Sequence, residues 1–430
     1  MNIFRNTDFN RRNFMTTAAS SLLGVGLMPH MGGSVFGADE TKPGVPLRKK
    51  PAQRIIYLYM GGGMTHLDTL DTKPGHENQG PVKEIKTNVP GIRISEYLPG
   101  LSNHVDKMAI INSMTSTAGA HEQARYLMHT SYEQRATIKH PGIGAYMLKY
   151  NDRLNQDLPG SVFIGGNSRI DGGAGFFESS YEPLAINNPA DGLKNIKARF
   201  NPTDFRNNLD LAADLDGGFR KKYNLKATRA YTAMYEDAVR LMESEDLKAF
   251  DLSEEKESTR EMYGDDAFGQ GVLLAKRLVE HDVRAVEVSY GGWDTHQNNF
   301  ISVPERTAVL DQALSALLSD LDRSGLLEST LVVLSTEFGR TPRINQNAGR
   351  DHYPKAFSTM IAGGGVNGGQ KFGKTTPGGE EVEEKALQPQ DFNATVAYGL
   401  GISTDRVVMS PSLRPFKVAH KGKPETKLFS

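Results

Sequence analysis

Residues 285–336, AVEVSYGGWDTHQNNFISVPERTAVLDQALSALLSDLDRSGLLESTLVVLST, read as strand, polar loop, helix, strand. AVEVSY (285–290) and TLVVLST (330–336) are short runs rich in β-branched and aliphatic residues without strict alternation, as in strands buried on both faces. Between them, Leu310, Leu314, Leu317 and Leu321 form one apolar helical stripe, and Gly325 stands where a C-terminal cap belongs. A strand, helix, strand order predicts parallel pairing through a right-handed crossover. RIIYLYM (54–60), MAIIN (108–112) and STMIAGG (358–364) are further runs of the same kind. The expected class is therefore α/β, a three-layer α/β/α sandwich with a mostly parallel central sheet.

Around these strands the pattern is less regular. Residues 167–225 are rich in Gly, Asn, Asp and Pro and read as an insertion over the sheet's edge. Helical patterns cover about 227–248 and 258–281, and residues 371–392 read as a long turn or small hairpin. At 430 residues and 38% hydrophobic, the chain is long enough for one large α/β domain or two ordinary ones. Fifty basic against 51 acidic residues leave a formal charge of -1, so no global field draws the protein to nucleic acid or an anionic membrane. Cysteine is absent, which leaves His, Asp and Glu to build any metal site.

The N-terminal stretch NRRNFMTTAASSLLGVGLMPH (10–30) pairs Arg11 and Arg12 ahead of a weakly apolar run. It reads as a twin-arginine export signal over residues 1–38, with the mature chain starting near Asp39 and a single domain over 39–430. The apolar run is about half the ~20 residues a membrane span requires. Export machinery is thus an expected partner, and a periplasmic or extracellular location the expected destination.

In open α/β sheets, ligands bind beyond the carboxyl ends of the strands. The polar residues of this chain collect there. The first strand leads into GGGMTHLDTLDTKP (61–74) with His66 and Asp68, the second into Ser113, Thr115, Ser116, Thr117 and then His121. Beyond the strand at 285–290 stand Asp294 and His296, and beyond the strand at 330–336 come Glu337, Arg340, Asp351 and His352. On extended backbone, residues two apart face one side, so HLD and DTH can each aim imidazole and carboxylate at one point. Asp351 and His352 are adjacent and face apart, which favours His352 as a ligand with Asp351 orienting it or meeting substrate. Taken singly, each motif has a structural reading: Asp68 as a helix cap, Asp294 with His296 as a hydrogen-bonded pair, His121 as a packed residue, Glu337 with Arg340 as an ion pair. Together they point to one shared site. Its nitrogen and oxygen donors suit a divalent ion, Zn²⁺, Mn²⁺, Mg²⁺ or Ca²⁺. Ser113 and Thr115 are the candidate hydroxyl nucleophiles.

From about 52 to 418 the chain resembles a family of exported proteins of unassigned function within the alkaline phosphatase and sulfatase superfamily. The residues that carry the resemblance are GGGMTHLDTLDTKP, INSMTST followed by His121, GGWDTH, STEFGRTP, GRDHYP and DFNATVAYGLGI (391–402). The resemblance implies an alkaline phosphatase-like sandwich with a metal site at the strand ends, hydrolysing sulfate or phosphate esters, with an anionic ester or polysaccharide as substrate. It further implies Asp294, His296 and His352 as metal ligands, Glu337, His66 and Asp68 completing or flanking them, and His121 or Arg340 at the substrate's anionic group. Two departures stand out: Phe338 occupies a position where the superfamily has a histidine, and Gly61–Gly63 one where it has an aspartate. They motivate a rival expectation, a glycan- or surface-binding protein without turnover. SVPER (302–306) matches the sulfatase Ser-x-Pro-x-Arg pattern, but Ser302, Pro304 and Glu305 also read as a capped helix start.

Overall fold

The computed structural model describes residues 45–165, 171–193, 202–222 and 236–430. The chain divides into two units, Met1–Gly44 and Val45–Ser430, and every element below belongs to the second. The expected export signal lies outside the described residues.

Eight strands form the main sheet: β1 (Arg54–Met60), β2 (Met108–Met114), β3 (Ser161–Ile164), β4 (Leu184–Ile186), β5 (Ala285–Tyr290), β6 (Thr330–Ser335), β7 (Phe357–Gly363) and β8 (Gln370–Phe372). Their order is β8-β2-β7-β6-β1-β5-β3-β4. β1 pairs in parallel with both β5 and β6, so the strand, helix, strand unit straddles β1 as a crossover requires. β7 alone runs against its neighbours β2 and β6. Its amino end therefore lies at the same edge as the carboxyl ends of β1, β5 and β6, which is where the segment holding His352 enters it.

Both faces of the sheet are covered. Ile56, Leu58 and Met60 point into one apolar cluster, packed by Ala267–Glu280 and Asn299–Arg323; Ile55, Tyr57 and Tyr59 point into the other, packed by His121–Thr130, Ile143–Asn151 and Pro389–Gly399. Helices among the described residues include α1 (His121–Thr130), α2 (Ile143–Asn151), α3 (Glu257–Tyr263), α4 (Ala267–Glu280), α5 (Asn299–Arg323) and α6 (Pro389–Gly399), with others at Pro202–Lys222 and over 236–243; the first part of the helix expected over 227–248 lies outside the described residues. Among the described residues, no helix is long and apolar enough to cross a membrane.

Three local expectations change. The single helix expected over 258–281 is two, because Gly264 takes φ 91° and the Asp266 side chain caps α4 by accepting from the Phe268 and Gly269 N–H groups. The helix expected to start at Ser302 starts a turn earlier, at Asn299, and contains Pro304 within it. The expected insertion also supplies β4, so part of it is the sheet's edge.

α1 is keyed to the sheet by residues at i, i+4 and i+8. His121 meets Glu337, Arg125 meets Asp171, and His129 meets Glu287 on β5. His129 donates from Nδ1 to the Arg125 carbonyl at 2.8 Å and from Nε2 to Glu287 at 3.0 Å, so the ring is an imidazolium. Burial opposes that charge, but Glu287 outweighs it and raises the His129 pKa above the ordinary imidazole value. A raised pKa contributes stability that is complete below the unfolded value of about 6.5 and is lost as pH rises through the folded value. Replacing His129 by Leu should cost about 3–5 kcal/mol near pH 6 by leaving Glu287 unpaired. Denaturant unfolding at stepped pH should show the gap between wild type and variant narrowing as pH rises above neutrality.

Candidate metal centre

Four loops converge at the carboxyl edge of β1, β5 and β6. Two glycines allow the approach. At Gly62, with φ 118°, a Cβ would stand 2.5 Å from the Asp294 nitrogen, and at Gly349 one would overlap the His296 carbonyl. Asp294 is brought in by the loop after β5, His121 opens α1, and His352 sits on a two-residue ribbon in which His352 pairs with Arg340 and Tyr353 with Gly339. Asp294, His121 and His352 each offer one ligand atom within 4.8 Å of the others.

The tautomers follow from the acceptors. Nδ1 lies 2.8 Å from Glu337 Oε1 in His121, 2.7 Å from Asp351 Oδ1 in His296, and 3.0 Å from the Gly119 carbonyl in His352. Glu337 and Asp351 are held in their ionised range and a carbonyl has no proton to give, so each Nδ1 carries the hydrogen. A neutral ring then presents its Nε2 lone pair, and all three Nε2 atoms face the Asp294 carboxylate, at 3.3 Å from His121, 3.1 Å from His296 and 3.2 Å from His352. A lone pair against a carboxylate is repulsive unless a proton or a cation lies between them. His121 Nε2 is moreover buried without a hydrogen bond. These donors fit a divalent ion held by His121, Asp294 and His352, with Glu337 and the Gly119 carbonyl fixing the two rings from behind.

The charges of the site are set by the same contacts. Partial burial pulls the Asp294 carboxyl upward, but the hydrogen bond and charge of Arg340, with His121 and His296, carry it down to about 2. Burial likewise works to raise Glu337, and is outweighed by hydrogen bonds from His121, from the Tyr59 hydroxyl at 2.7 Å and from the Gly62 N–H at 2.8 Å. The hydrogen bond to Glu337 in turn raises His121 above the ordinary imidazole value, against burial.

The remaining candidates are distributed around this centre. His296 touches Asp294 and is anchored by Asp351. Arg340 is fully buried and donates to Asp294, to the carbonyls of Gly62 and Gly63, and to the Arg350 carbonyl at 3.2 Å. Its donors are engaged in holding the loops together. Asp68 is buried outside the three-residue constellation, where Arg350 grips both carboxylate oxygens at 2.8 and 2.9 Å. His66 is also buried and donates from Nε2 to the Gly379 carbonyl at 2.9 Å. Ser113 Oγ is sealed inside the sheet without a partner, and Thr115 is half-buried, with its N–H bonded to the Leu387 carbonyl.

Sequence reasoning did not single out Tyr59, Arg350 or Gly119. Nor did it foresee that Phe338 would pack its ring against those of His121 and His352, at 5.0 and 4.7 Å. Replacing Glu337 by Gln should weaken Zn²⁺ or Mn²⁺ binding about 10–100-fold, read by chelator competition. Wild-type affinity should fall as pH drops through the range, above the ordinary imidazole value, in which His121 takes up a proton.

Matches among solved structures include a protein in the alkaline phosphatase superfamily from Vibrio parahaemolyticus, at 10% identity over 89% of this chain and 73% of that one, with a TM-score of 0.43. PsFucS1 sulfatase from Pseudoalteromonas sp. matches at 11% identity over 88% and 76%, with a TM-score of 0.41. The lipoteichoic acid synthase LtaP from Listeria monocytogenes matches at 9% over 84% and 77%, with a TM-score of 0.37. No curated protein matches. Residues 52–429 match the model of the family described as "Protein of unknown function (DUF1501)", and the chain belongs to that family.

Proposed function

We propose that the protein is an exported, metal-dependent hydrolase of sulfate or phosphate esters, acting on an anionic polysaccharide. The observation that supports this most directly is the convergence of three Nδ1-tethered imidazoles on one carboxylate. His121, Asp294 and His352 hold the ion. A divalent ion so held supplies Lewis-acid polarisation of an ester oxygen. Asp294 and His296 are 45% and 43% exposed in their side chains, so a polymer can reach the centre without a deep pocket.

Ser113 is sealed inside the sheet, and in this reading the nucleophile is taken to be water rather than a side-chain hydroxyl. His296 is the residue suited to accept its proton. Its Nδ1 is anchored on Asp351 at 2.7 Å, and its Nε2 stands at the open side of Asp294. Arg340 acts through Asp294 as a positioning residue. Export through the twin-arginine route belongs to the same reading, since that route accepts chains already folded around a metal.

A second reading, a glycan-binding protein without turnover, draws on the buried Ser113 hydroxyl and on Gly61–Gly63, which place no acid at the end of β1. One experiment separates the two. Protein recovered from its own export route is assayed for metal content, then for release of sulfate and phosphate from aryl esters and sulfated oligosaccharides, with and without chelator. The hydrolase reading expects metal-restored turnover, lost at least about 100-fold in Asp294→Asn. Near-stoichiometric metal with no turnover of any ester would sink it and leave the binding reading; a metal-free site in the exported protein would sink the metal assignment itself.

A further inference from the structure

A second concave site lies at the far end of α1. This helix spans ten residues from His121 to Thr130, so at about 1.5 Å per residue its carboxyl end is some 15 Å from the metal centre. The cavity there measures about 370 Å³ and is lined by Tyr132, Arg135, His140, Arg414, Phe416 and His420, among others. Two lining side chains, Arg135 and Arg414, are permanent cations and one, Glu133, is an anion, while burial works to keep His140 and His420 neutral.

Its wall is aromatic and rigid. Tyr132 stacks on His140 at 4.3 Å and 8°, and Phe416 meets both rings edge-on at 5.4 and 5.0 Å. The Tyr132 hydroxyl is fixed at both ends, donating to the Lys417 carbonyl at 2.8 Å and accepting from the Lys417 N–H at 2.9 Å. The Tyr126 hydroxyl accepts from the His140 backbone N–H and donates to His140 Nδ1, which puts the ring hydrogen on Nε2, a donor with no partner among the described residues. Among the described residues, neither the Arg135 nor the Arg414 guanidinium has a carboxylate partner. His420 holds φ 53°, a conformation uncommon outside glycine, and so strain is retained at the rim.

We propose that this pocket binds an anionic sugar residue, with the ring against the Tyr132, His140 and Phe416 wall and the sulfate or carboxylate group between Arg135 and Arg414. Guanidinium groups match the geometry of such oxyanions, and the partly exposed Phe416 ring, held by the buried Tyr132–His140 stack, offers apolar area to a sugar's C–H face. The volume falls in the range of small-molecule sites. The pocket's positive field is consistent with the state of His140, whose pKa burial, Arg135 and His420 together push down to about 4. The site is independent of any chemistry at Asp294.

The test is calorimetric titration of the intact mature protein with glucose 6-sulfate, glucuronate, glucose and inorganic sulfate. Each is run on wild type, on the Arg135→Gln/Arg414→Gln double variant and on Asp294→Asn, with thermal unfolding confirming that all three are folded. Glucose 6-sulfate and glucuronate should bind more tightly than glucose or sulfate alone and weaken at least about tenfold in the double variant, while glucuronate, which carries no ester for the Asp294 centre, should be unchanged in Asp294→Asn. Equal binding by the double variant, loss of glucuronate binding in Asp294→Asn instead, or no heat with either anionic sugar at millimolar concentration would overturn the proposal. Inorganic sulfate binding as tightly as the sugar sulfate would overturn recognition of the ring. A further variant, Phe416→Ala, should weaken the anionic sugars without changing the weak binding of sulfate, and no difference between it and wild type would count against the aromatic wall.

Discussion

The Asp294 carboxylate is where the site's geometry is decided. It sits on an open loop yet is gripped by a fully buried guanidinium, Arg340, whose other donors tie down the Gly62, Gly63 and Arg350 carbonyls. Desolvating an arginine is costly unless every donor is matched, and here the matching partners are the backbones of the loops that must meet. The same contact holds the charge of Asp294, sets its distance to three imidazoles and closes two loops on each other. The buried pair of Arg350 with Asp68 repeats the arrangement one layer deeper, and the Arg350 N–H bonds the Thr295 carbonyl beside Asp294.

Each imidazole of the centre is oriented by what lies behind it. Glu337 is the clearest case, because it receives from β1 through Tyr59, from the β1 loop through Gly62 and from α1 through His121. A buried carboxylate with three donors is a rigid acceptor, and a rigid acceptor fixes a tautomer. Phe338, which has no donor to offer, contributes by packing: its ring limits the tilt of His121 and His352. Glu337 therefore fixes His121 by hydrogen bonding while Phe338 fixes both His121 and His352 by packing.

Much of the fold was legible because burial on both faces of a sheet leaves dense aliphatic runs. All five runs read from the sequence lie in the main sheet, and the leucine stripe of α5 faces the core. What escaped depends on tertiary context. Nothing local marks β7 as running against its neighbours, and β4 is three residues long, too short for periodicity to register. The split between α3 and α4 had a signal in Gly264 and Asp266, but the apolar pattern continues across it. At the site, the loop clusters were legible as a group, since imidazoles and acids after four strands are unusual. The division of labour within them was not. Asp68 and Arg350 are 282 residues apart and Tyr59 is a strand residue like its neighbours, so their partners emerge only when the chain is folded.

The three contacts along α1 fix more than its position. A helix that must place His121, Arg125 and His129 against three carboxylates from different segments has one permitted rotation about its own axis. Adding or deleting one residue within it would turn everything beyond the change by about 100°, withdrawing a charge from each partner downstream. The length of α1 thus sets the separation between the cavity at Tyr132 and the cluster at Asp294.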